Sequence, residues 1–222
     1  MREHGSERWV HVALGCFAVS VLAIGYLHVD LRGRVDPLAQ VVSDYALVGS
    51  GADLFDVGVC SLAAGTVALL VGLTAAGAPQ SRPVRALFGA WCLGLVLCAL
   101  FPTSPTGSPL SMSGQVHRFA GGVMLVSLPL AGRLFAGQLD GEQRWRAVAA
   151  RVRTLSRWSV VALVAFVLSQ VPEATPGLPG ARLLAGFAVP GLAERVLMAV
   201  ELAVLVSLGL ATLRAERKPL PC

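Results

Sequence analysis

Carboxyl groups inside apolar runs are costly in a membrane and functional by default, and this 222-residue sequence carries several. Glu201 lies about ten residues into the last apolar run, roughly 15 Å deep at the helical rise and so near a bilayer midplane. Glu194 stands two turns earlier on the same helix face. A carboxyl in an apolar pocket serves as a general acid at neutral pH. The structural alternative pairs Glu194 with Arg195, Arg118 or Arg182 and bonds Glu201 to a serine or to backbone. Asp53 and Asp56 open the second run at i, i+3. Asp53 suits a helix cap, whereas Asp56, a turn deeper, is the better site candidate. The same spacing is compatible with a divalent metal, although one acidic pair is a thin basis for it.

The string Ser111-Met112-Ser113-Gly114-Gln115-Val116-His117-Arg118 places Ser113 and His117 at i, i+4 on one helix face. A serine beside an imidazole is the arrangement of an activated nucleophile. It also arises when Ser113 caps the helix and His117 packs under a loop. His28 and His117 fall at one depth, where two imidazoles could ligate a haem or a metal, but the sequence assigns no cofactor. Taken together, His117, Glu201, Asp56, Asp44 and Glu194 are the candidate acid/base groups. Tyr45, Ser113, Gln115 and Arg118 are the candidate substrate-binding groups.

The elements that must position them are apolar helices. The chain is 55% hydrophobic and 14% charged, against about 25% charged in soluble domains, and its mean hydropathy is +0.69. Such a surface faces lipid. Spans are expected at about residues 9–27, 53–76, 86–101, 114–136, 155–171 and 191–213, the fifth stopping at Pro172. The expected fold is all-α: one domain, a six-helix membrane bundle. Thirteen Lys and Arg residues fall at one set of helix ends and five (Arg32, Arg34, Arg118, Arg182, Arg195) at the other. Basic residues favour the cytoplasm, so both termini are expected there and the acid-rich ends outside, in a multi-pass protein of the cell (plasma) membrane. The outer connections read as a long polar 28–52, an uncharged Pro-rich 102–113, and 172–190, whose apolar part could re-enter the interface. The basic stretch 137–153 reads as an inner loop beside anionic headgroups.

Other classes fall away. The +5 net charge is scattered in short clusters with no soluble groove, so nucleic acid is not a partner. The five cysteines show no zinc spacing, and four lie in apolar runs as packing residues. No signal-peptide cleavage pattern follows the first run. No internal repeat supports an inverted-repeat carrier.

Ser43-Asp44-Tyr45-Ala46-Leu47-Val48-Gly49, then Phe101-Pro102-Thr103-Ser104-Pro105-Thr106-Gly107, then Ser113-Gly114-Gln115-Val116-His117 resemble the prokaryotic membrane family catalogued as domain of unknown function 998, most clearly over residues 15–136. The resemblance implies a small multi-helix membrane protein with these motifs at outer helix ends. It singles out Ser43, Asp44, Tyr45, Phe101, Pro102, Ser113, Gly114 and His117. It also implies an acid where this chain has Ser104, and it brings no activity. A rhomboid-type protease is rejected, because the first Gly of its Gly-x-Ser motif and a His in the last helix are missing.

Three functions compete. The first is an enzyme working by acid/base chemistry on a lipid, isoprenoid or other hydrophobic molecule. The second is a proton-coupled carrier titrating Glu201. The third is a non-catalytic accessory protein whose polar cluster is a satisfied network. A homo-oligomer is compatible with each.

Overall fold

The computed structural model describes residues 3–105, 108–175, 177, 185 and 188–216. Each apolar run closes its backbone hydrogen bonds within one helix, the only way a single segment crosses hydrocarbon. The helices are α1 Glu3–Asp30, α2 Gly51–Ala75, α3 Arg82–Leu100, α4 Met112–Leu139, α5 Arg146–Ala174 and α6 Pro190–Glu216. All six are long and apolar enough to span a membrane, and among the described residues there is no strand. The chain is a multi-pass helical membrane bundle.

The helices form a ring in chain order. Each packs on the next, α6 packs back on α1, and α6 also reaches α2 and α4 across the centre. Leu197, Val204, Leu205 and Leu208 of α6 are consequently buried. Large apolar side chains such as Leu22, Phe119, Trp158 and Val164 stay exposed on the outside of the ring, where lipid is the solvent.

Several boundaries depart from those expected. The stretch 137–153 is mostly helix, not loop, and only residues 140–145 connect α4 to α5. Val148, Ala149 and Val152 turn inward there while Arg146 and Arg151 stay exposed, so the first turns of α5 are amphipathic. An Arg153–Asp140 ion pair closes this connection. Arg144 donates to the Ala76 carbonyl at the end of α2 (3.3 Å), a favoured place for a cation. Gln138 at the foot of α4 exchanges hydrogen bonds with Ser81 before α3, at 3.1 and 2.6 Å. Pro172 does not stop α5, which runs on to Ala174. Its missing N–H weakens only the final turn.

The two ends of the bundle differ. One holds the start of α1, the end of α6 and the 140–145 turn and is rich in arginine. Over the other folds the connection 31–50, which was expected to be a polar loop. It carries a 3-10 helix, Val42–Leu47, whose Val42, Ser43, Asp44 and Tyr45 are buried. This capped end positions the site. Most of the third connection of the capped end, including Arg182, lies outside the described residues.

The expected orientation rests on the basic residues alone. With native cysteines replaced, Ser108→Cys at the capped end should react with an impermeant maleimide in intact cells. Gly141→Cys at the other end should react only after permeabilisation. The reverse pattern would overturn the expected topology.

Candidate functional site

An arginine near the mouth of a membrane helix needs acceptors for a planar fork of donors. Arg195, in the second turn of α6, finds them in backbone. Its Nη1 donates to the carbonyls of Gln40 (2.7 Å), Gly191 (2.9 Å) and Pro37 (3.0 Å). Its Nη2 donates to the Tyr45 hydroxyl at 2.7 Å. Gly191 makes this approach feasible, because a Cβ there would press into the Gln40 and Pro37 carbonyl oxygens. The Tyr45 hydroxyl also shares a hydrogen bond with Nδ1 of His28, 2.8 Å away, whose direction the imidazole tautomer sets.

Two acids complete the roof. The Asp44 carboxylate accepts the Val41 N–H at 3.2 Å, and Glu194 Oε2 accepts the Val42 N–H at 2.6 Å. Both donors open the 3-10 helix, where N–H groups lack partners along the chain. Glu194 thus joins α6 to a segment 152 residues away, while Oε1 makes no hydrogen bond among the described residues.

Beneath the roof lies a cavity of about 50 Å³. Phe55 and Val59 of α2, Leu95 and Cys98 of α3, Met124 and Leu125 of α4 and Met198 of α6 make it largely apolar. Ser43, His117 and Glu194 bring polarity. His117 Nδ1 lies 2.8 Å from the Phe101 carbonyl oxygen. A carbonyl only accepts, so Nδ1 carries hydrogen and Nε2 is the basic nitrogen, with no hydrogen bond among the described residues. The His117 ring tilts towards Phe55, with centroids 6.5 Å apart. A cavity of this size takes a few waters or one small functional group, far less than the pockets that enclose whole drug-sized ligands.

The predicted residues divide accordingly. His117 and Glu194 share the cavity wall. Tyr45 and Asp44 are held in the roof, so Tyr45 supports the site rather than facing a substrate. The other candidates are not brought together. Asp56 is absent from the wall that its neighbours Phe55 and Val59 form, a helix turning about 100° per residue. Gln115 and Arg118 are exposed. Ser113 donates to the Pro102 carbonyl (2.9 Å) rather than to His117, so the Ser–His nucleophile is not assembled. Nor is Ser113 the cap of α4: Ser111 accepts the Gly114 N–H there, at 3.0 Å. Ser104 bonds Ser111. His28 and His117 serve different partners, and among the described residues no three His, Cys, Asp or Glu side chains group to hold a metal. Among the described residues Glu194 forms no ion pair with Arg195 or Arg118, and Arg182 lies outside them. Glu201 is wholly buried, lies off the cavity wall and has no hydrogen-bond partner among the described residues, so the alternative of a serine or backbone bond is not seen there.

Arg195 was visible in the sequence only as an ion-pair partner. Its adjacency to Glu194 near the start of α6 was the one signal available, since most of its partners are backbone carbonyls. The model of a family described as a protein of unknown function (DUF998) matches residues 31–211, which reaches well beyond the motif-bearing region into α6. No curated protein and no solved structure matches the chain.

The roof network carries a testable stability. Tyr45→Phe should cost about 1–2 kcal/mol, the value of a buried hydrogen bond to a charged partner. Arg195→Lys should cost more, since a point-charge ammonium lacks the fork geometry. Thermal unfolding in detergent reads both. Unchanged midpoints would show that the network does not hold the roof.

Proposed function

The chain belongs to this family of unknown function, DUF998, and from that premise we propose that it is a membrane-embedded acid/base enzyme acting on the small reactive end of a hydrophobic molecule, such as a lipid or isoprenoid. One observation carries the reading: His117 and Glu194 line one small, largely apolar cavity. His117 is the base. Its Nδ1–H is held by the Phe101 carbonyl, so Nε2 accepts a proton and the resulting imidazolium keeps that bond. Glu194 is the acid. It is fixed through Oε2 by the Val42 N–H, which leaves Oε1 to carry a proton to the substrate. Apolar walls strengthen such interactions by excluding water.

The volume limits what enters. About 50 Å³ admits the reacting group of a substrate and not its chain, which would stay among the helices or in lipid. Met124 and Met198 flank the cavity, and unbranched thioether side chains repack readily. Asp44 and Tyr45 act by holding the roof, and Glu201 is not part of the reacting set. The distribution of basic residues supports an arginine-rich end on the cytoplasmic side of the plasma membrane and a cavity in the outer half of the bilayer.

Native mass spectrometry of the detergent-purified protein tests this. Wild type should carry a hydrophobic molecule that His117→Ala and Glu194→Gln deplete at least several-fold and Glu201→Gln retains. Incubation in D₂O should place deuterium on a carbon of that molecule in wild type and not in His117→Ala. Equal occupancy in all four proteins, or none in any, would remove the enzyme reading in favour of a structural accessory role.

A further inference from the structure

Among the described residues, four side-chain oxygens sit fully buried without a hydrogen-bond partner on two facing helices: Ser156 Oγ and Ser159 Oγ of α5, and both carboxyl oxygens of Glu201 on α6. Each residue is 0% exposed. The ordinary remedy for a helical hydroxyl is to donate to the carbonyl one turn back. Thr66, Ser127 and Thr212, also buried, do so at 2.8, 2.6 and 2.9 Å. Ser156 and Ser159 do not.

The helix register puts the residues that carry these oxygens on adjacent turns of neighbouring helices. A Cβ on Gly132 of α4 would press into Ser156 Oγ and lie 3.6 Å from Val204 Cγ1, so Gly132, Ser156 and Val204 meet at one level. One turn towards the capped end, on the same faces, come Pro129, Ser159 and Glu201. Pro129 sits inside α4 and lacks an N–H, which withdraws the usual donor from the Leu125 carbonyl. Among the described residues no guanidinium answers the carboxylate: Arg133 and Arg157, the nearest in sequence to Gly132 and Ser156, are exposed, and Arg195 is engaged in the roof.

We infer that the α4–α5–α6 seam holds a site for one dehydrated monovalent cation, with Glu201 supplying the charge and Ser156 and Ser159 neutral oxygens. The donor set is all oxygen, which selects hard cations over transition metals, and its single negative charge is balanced by a single positive one. An ionised carboxylate with no counter-charge is among the costliest things to bury, and a small cation removes that cost. The site stands apart from the cavity wall, and its test does not depend on catalysis.

The full chain in detergent should show a saturable rise in melting temperature, roughly 5 °C or more, when sodium or potassium chloride replaces choline chloride at fixed ionic strength. Glu201→Gln should abolish the rise. Ser156→Ala/Ser159→Ala, which leaves the charge in place, should shift half-saturation at least tenfold to higher salt. Choline matching both alkali cations in wild type would overturn the site. So would a stability that follows pH and ignores the cation, which would mean that Glu201 is simply a protonated acid.

Discussion

Everything at the capped end depends on one guanidinium. The connection 31–50 has no regular ladder to hold it, only a 3-10 helix of six residues, and such short pieces are weak on their own. Arg195 gathers two of its carbonyls and its buried tyrosine onto α6. The same helix offers Glu194 to the open N–H of Val42. Two adjacent residues of opposite charge thus bind the same segment by complementary groups, one donating and one accepting, without pairing to each other. Without them the cavity would have walls and no roof.

The cavity follows from the ring order. Packing of consecutive helices leaves a centre that α6 alone enters from the far side, touching both α2 and α4. Small and flexible residues, Gly121, Met124 and Met198, line the residual space. The two ionisable groups enter from different helices and are each fixed by backbone, His117 by the Phe101 carbonyl and Glu194 by the Val42 amide. Groups held this way keep their orientation without needing each other, which suits residues that exchange protons with a third party.

Hydropathy alone made the six helices legible, because crossing hydrocarbon leaves a chain few alternatives. The ends were less so: the first turns of α5 combine arginines with inward Val148 and Val152, a pattern that a search for uninterrupted apolar runs passes over. His117 and Glu194 were recognisable as candidates from polarity at helix mouths. Asp56 was equally plausible by depth and failed by rotation, as its neighbours Phe55 and Val59 face the cavity instead. Ser113 looked like a nucleophile because spacing on a helix says nothing of which loop carbonyl lies nearer. The partners that matter most, the carbonyls of Pro37, Gln40 and Phe101 and the amide of Val42, are backbone atoms, and no residue letter announces them.

Arg195 also sets a clock. Its four bonds spring from one side chain, so they are not released one at a time as the roof breathes. Displacing the guanidinium surrenders all of them together while a charge is stranded at the membrane surface. Lifting the roof at this residue is therefore a concerted event, set by how seldom the guanidinium leaves its acceptors.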